Sequence, residues 1–220
     1  MNYTVIPKSI VNFQTGNSKP IDIYVWATIK YCSNHKTNIS HITEEKLSLL
    51  TGLDERTIRR SIKRLKDAGY LTVQTTIKED ADRGFIKRNS YYIKPEKSNY
   101  FFLDNSYFKR NYPAKIAGFL LLLKSVCLNN TDTIQWRNSQ IAKSIGLSRN
   151  TTTALIKECL QLGLIKQIAK GYETVQHTAA GWNNNAGGKY NDQGIGQRVG
   201  SGHPEYGTAF FGACGAPLLW

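Results

Sequence analysis

The chain has 220 residues, room for one large domain or two small ones, and its 29 Lys and Arg against 16 Asp and Glu leave a formal charge of +13. That excess favours a polyanionic partner, nucleic acid or an acidic membrane surface. From Gln176 onward basic and acidic residues balance (Lys189 and Arg198 against Asp192 and Glu205), so the excess belongs to residues 1–175.

In chain order, Tyr3 to Val11 is a short apolar segment leading toward a helix, and Ile21 to Tyr31 reads as that helix. Thr43 is an N-cap candidate for a second helix, Glu44 to about Thr51, with two acids in its first turn. Gly52 supplies the tight turn that follows, where a positive φ costs a glycine little. Asp54 caps a third helix, which runs to about Ala68 and stops at Gly69. Tyr70–Ile77 and Gly84–Ile93 are rich in β-branched and aromatic residues and read as strands joined by the polar turn Lys78–Arg83. Three helices and a hairpin in this order make a winged helix.

The pattern then repeats 94 residues later without a gap. Leu47–Leu71 aligns with Ile141–Ile165, matching Gly52 to Gly146, Leu53 to Leu147, Thr57 to Thr151, Ile62 to Ile156, Lys63 to Lys157 and Gly69 to Gly163. Upstream, Tyr100–Phe108 echoes the first apolar segment and Ile116–Leu128 the first helix. A helix near Ser139–Ile145 follows, then a turn at Gly146, then a third helix capped by Ser148 and ending near Gly163. The short hairpin Leu164–Ile168 and Tyr172–Gln176 turns at Lys170-Gly171. The expected fold is mainly α with small β-hairpin wings (α+β): two tandem winged helix-turn-helix domains, residues 1–95 and 96–176, and a Gly/Asn-rich tail, 177–220.

On the third helix, at about 100° per residue, Ile58, Ile62 and Leu65 share one side, and Arg56, Arg59, Arg60 and Lys63 gather opposite within about 100°. The apolar stripe pins the helix to its domain and turns four cations outward, in an arc expected to lack acids. Such a helix fits the major groove of B-DNA, where Arg forks onto guanine O6 and N7. Arg64 and Lys66, at the margin, are expected on phosphates. In the wing, Arg83, Lys87 and Arg88 are candidates for backbone or minor-groove contact, opposed by the acidic Glu79, Asp80 and Asp82. In the second copy the four positions become Asn150, Thr153, Ala154 and Lys157. Asn150 could read adenine but gains little from counterion release; Arg149, Lys143 and Lys166 could hold the backbone. The alternative is that this copy packs against a partner and leaves DNA alone.

The run Gly-Leu-Asp-Glu-Arg-Thr-Ile-Arg-Arg-Ser-Ile-Lys-Arg-Leu (52–65) and its Ala-Gly-Tyr-Leu ending (68–71) resemble the winged helix-turn-helix superfamily of bacterial and phage regulators. The two-unit layout also resembles plasmid and phage replication initiators. The superfamily resemblance implies that Arg56, Arg59, Arg60 and Lys63 are reading positions in the first copy, and Asn150, Thr153 and Lys157 in the second. The initiator resemblance implies a stronger DNA contact in the second unit, whereas the charge lies on the first.

Other chemistry finds little support. The apolar run Ile116–Leu123 stops at Lys124, short of the roughly 20 residues a membrane span needs. The polar N-terminus predicts no secretion signal. Cys32, Cys127, Cys159 and Cys214 form no Cys-x-x-Cys pair and read as free thiols in a reducing cytoplasm. Cys32, His35 and His41 lack the fourth ligand and spacing of a metal site, and Asp80 and Asp82 alone are more often solvated than metal-binding. No phosphate-binding Gly-rich loop occurs, and no cluster of His and carboxylates points to a nuclease. The tail reads as a flexible segment, or as one whose Trp182, Phe210, Phe211 and Trp220 dock on the globular part. The expectation is a cytoplasmic, sequence-specific double-stranded DNA-binding protein, not an enzyme, with no cofactor, metal, membrane or small-molecule ligand and a homodimer as its candidate assembly. It would act as a transcriptional regulator or mobile-element protein. The alternatives are a plasmid or phage replication initiator and a winged-helix protein-interaction scaffold.

Overall fold

A computed structural model describes residues 3–80, 84–94, 99–127, 131–169 and 171–174. The expected tail and the turn residue Lys170 lie outside these. The chain opens with strand β1 (Tyr3–Pro7) and a 3-10 turn (Lys8–Asn12), then helix α1 (Lys19–Tyr31). Strand β2 (Ile39–Ser40), helices α2 (Glu44–Thr51) and α3 (Glu55–Asp67), and strands β3 (Thr72–Asp80) and β4 (Gly84–Tyr92) complete the first half. The second runs through β5 (Tyr100–Asp104), a 3-10 turn (Asn105–Lys109), α4 (Ala114–Val126), β6 (Thr133–Ile134), α5 (Asn138–Ile145), α6 (Arg149–Gln161), β7 (Ile165–Ile168) and β8 (Gly171–Thr174). Among the described residues the result is a mixed α and β fold of six α-helices and small antiparallel sheets, ordered β1-β5, β2-β4-β3 and β6-β8-β7.

Local chemistry explains the helix limits. Thr43, Asp54 and Ser148 accept from the backbone N–H of Lys46, Thr57 and Thr151, so each cap satisfies an otherwise orphaned donor. Gly52 and Gly146 close α2 and α5 with φ of 68° and 69°, which suits a residue without Cβ. The element bounds recur at the sequence interval of 94: Glu44 and Asn138 open α2 and α5, and Glu55 and Arg149 open α3 and α6. Even the loop anchors recur. Lys30 donates to Asn38 Oδ1, and Lys124 pairs with Asp132 Oδ1. The hairpins differ, however: nine residue pairs zip β3 to β4 and four zip β7 to β8.

The two halves share one core. Helices α1 and α4 pack together and are buried along nearly their whole length, from Lys19 to Ile29 and from Ala114 to Ser125. They meet so closely that a Cβ on Gly118 would lie 1.6 Å from the Pro20 carbonyl oxygen. The leading segments then cross over. Strands β1 and β5 pair antiparallel, Tyr3 with Asp104 and Pro7 with Tyr100. The turn after β1 lies on α4 and α5 of the second half, and the turn after β5 lies on α1 and α2 of the first. There Phe108 stacks on Tyr24 and Tyr31, and Tyr107 donates its hydroxyl to the Ala117 carbonyl at 2.6 Å. All described residues belong to one compact unit.

This packing makes stability sensitive to base. Burial pushes the thiols of Cys127 and Cys159 up to about 12 from 9.0 and the Tyr24 phenol up to about 12 from 10.0, and it also raises Tyr91 and Tyr107. Above pH 9 the unfolded chain releases these protons while the folded chain keeps them, so their stabilisation is complete below pH 9 and is lost as pH rises toward 12. Lys19 opposes this. It donates to the Val11 carbonyl, and burial lowers it to about 8, so its contribution rises between pH 8 and 10.5. Lys30, also lowered by burial, acts with it, but the five acids outnumber the two lysines. Urea unfolding should show stability falling between pH 9 and 11, and Cys127→Ala/Cys159→Ala should flatten that fall. An unchanged slope in this variant would remove the thiols from the account.

Candidate nucleic-acid interface

Helix α3 sits against α1 and α2 and buries Ile58, Ser61, Ile62 and Leu65. This is the expected stripe, and it leaves Arg56, Arg59, Arg60, Lys63 and Lys66 exposed. The outward arc is not free of acids, as the sequence led one to expect. Arg59 donates from Nε to Glu44 Oε2 at 2.6 Å and from Nη2 to Glu55 Oε2 at 2.5 Å. Lys63 pairs with Asp67 at 2.8 Å, one helical turn away. These surface pairs are worth little to stability, yet they change which cations are open. Arg56 and Arg60 have no ion-pair partner among the described residues.

Arg64 departs from the phosphate contact expected of it. Its guanidinium turns inward and forks onto Asp22 of α1, Nη2 to Oδ1 at 2.7 Å and Nε to Oδ2 at 2.9 Å. Asp22 is fully buried, and Arg64 satisfies its carboxylate while tying α3 to α1. The carboxylate in turn holds the guanidinium pKa above its ordinary value. Lys66 remains exposed at the margin.

In the β3–β4 hairpin, Arg88 is exposed on β4, opposite Thr76. Lys87 stands opposite Ile77 in the register; its side chain and all of Arg83 lie outside the described residues. Glu79 is exposed near the end of β3. In the second half, Arg149, Asn150, Thr153, Ala154 and Lys157 are all exposed on α6, over a buried stripe of Thr152, Leu155, Ile156 and Cys159. Asn138 Nδ2 donates to Thr153 Oγ1 at 3.5 Å. This contact falls at the positions that Glu44 and Arg59 occupy in the first half. Lys166, expected on the backbone, instead pairs with Glu173 at 2.7 Å. Leu49 on α2 is 83% exposed, a feature the sequence reading did not single out.

Residues 19–71, from the start of α1 through α3, match the family model of a helix-turn-helix domain. This match supports DNA binding by that segment. No curated protein matches the chain. Among the described residues no helix is long and apolar enough to cross a membrane.

Proposed function

We propose that this chain binds double-stranded DNA sequence-specifically, as a transcriptional regulator or mobile-element protein without catalytic activity, through two tandem winged helix-turn-helix units. The observation that carries this reading is the pair of open guanidiniums, Arg56 and Arg60, on the solvent face of α3. They stand on the helix that follows the Gly52 turn inside the matched helix-turn-helix segment. A phosphate meeting an unpaired cation releases counterions, and affinity then falls steeply with salt. The α6 face offers Asn150, Thr153 and Ala154 beside Arg149 and Lys157. It adds base contacts and little electrostatic attraction, so the two half-sites are unlike and an asymmetric site follows. That balance favours a regulator over a replication initiator, whose stronger contact would fall in the second unit.

Fluorescence anisotropy on a labelled duplex, repeated across salt concentrations, tests the reading. Arg56→Ala/Arg60→Ala should weaken binding about ten-fold per residue near 0.1 M salt and flatten the log–log salt slope by about two units. Wild-type slope and affinity in this variant would remove α3 from the interface. Selection from a random duplex pool supplies the preferred site.

A further inference from the structure

We propose that Glu44 and Glu55 set the sequence preference of α3, by holding Arg59 as a base-reading side chain and withholding it from phosphates; this rests on the DNA-binding reading above. A guanidinium carries five N–H donors in one plane. Glu44 takes the Nε hydrogen and Glu55 takes one on Nη2. The three that remain are on Nη1 and Nη2, donors of the kind that guanine O6 and N7 accept.

Charge sharpens the choice. Two carboxylates around one guanidinium leave a local charge of about −1, so a phosphate approaching Arg59 meets net repulsion. A guanine edge is neutral and presents acceptors, so it is not turned away. The open cations nearby, Arg56 and Arg60, supply the phosphate attraction that Arg59 does not. Three of the ridge's four cations are thereby divided, two that hold the duplex and one that inspects it.

The second half shows that the charge is not needed to hold the helices together. Asn138 and Thr153 occupy the corresponding positions on α5 and α6 and keep the link with a neutral hydrogen bond. Glu55 corresponds to Arg149, so the other acid of the clamp is also absent there. The same scaffold forms with and without the carboxylates, so beyond favouring the N-termini of α2 and α3 they are free to set ligand discrimination.

The test uses the full chain, the duplex selected from a random pool and a scrambled duplex of equal length, with anisotropy read at several salt concentrations. Glu44→Gln/Glu55→Gln should bind the scrambled duplex more tightly, steepen its salt slope by up to about one unit, and cut the selected-to-scrambled ratio about ten-fold. Arg59→Ala should cut the ratio similarly and leave the slope nearly unchanged. Combined with Arg59→Ala, the glutamate changes should cost no further discrimination, because they act through that side chain. An unchanged ratio in Glu44→Gln/Glu55→Gln overturns the proposal while leaving DNA binding intact. So does a loss of the same size when Arg59 is already alanine. Failure of the wild-type chain to bind any duplex overturns the proposal and the DNA-binding reading together.

Discussion

Gly118→Ala should lower the thermal midpoint by about 10 °C or more. The added Cβ would stand 1.6 Å from the Pro20 carbonyl oxygen and 2.4 Å from its carbonyl carbon. Both atoms are backbone, so no rotamer change relieves the overlap. Helices α1 and α4 would have to separate by well over an ångström, and the side chains buried between them would lose their dispersion contacts. Overpacking a core typically costs about 1–3 kcal/mol, and a rigid backbone neighbour puts this case at the upper end or beyond. Far-UV circular dichroism on heating gives the midpoint. A shift under about 2 °C would mean that the helices cross less tightly than described.

Arg64→Ala should cost about 3–5 kcal/mol, because it strands a carboxylate that has no access to water. Asp22 is 0% exposed, and its two oxygens receive the Arg64 fork. Arg64→Lys should recover only part of the loss, since a point charge cannot satisfy both oxygens in one plane. Replacing the pair together, Asp22→Leu with Arg64→Met, should restore most of the stability, as apolar substitutes for buried ion pairs often do. Urea unfolding of the single and double variants decides the matter. A small loss in Arg64→Ala would show the ion pair to be dispensable, and would return Arg64 to the list of phosphate candidates.

Much of the local structure was legible in the sequence because it depends on neighbours along the chain. The caps at Thr43, Asp54 and Ser148, the turns at Gly52 and Gly146, and the apolar stripe of α3 all follow from residues within a few positions of one another. Helix α1 begins two residues earlier than Ile21, and α4 two residues earlier than Ile116, within the usual play of helix ends. Contacts between distant segments were not legible. The apolar stretches from Tyr3 and from Tyr100 read as like lead-ins to helices, but nothing in their spacing said that they would pair with each other. The Asp22–Arg64 fork joins residues 42 positions apart, and a helical wheel of α3 alone puts Arg64 at the margin. Two of the acids reaching the cationic face could have been foreseen. Glu55–Arg59 and Lys63–Asp67 are both spaced i, i+4, where opposite charges meet across one turn. Glu44 could not, because it arrives from α2. The exposure of Arg56, Arg59, Arg60 and Lys63 was therefore legible from the helical wheel, and the acids that restrain two of them only in part.

The crossed leading segments bear on how the molecule can be dissected. Each half is strapped by a stretch of backbone that belongs to the other, and the β1–β5 ribbon needs a strand from both. A fragment cut near residue 95 would shed β5 and the aromatic turn that covers α1 and α2, baring Tyr24 and Tyr31 to water. If such a fragment failed to hold DNA, the failure would report a dismantled scaffold, and would say nothing about which helix touches the bases. Point changes on the intact chain are the instrument this architecture leaves to the experimenter.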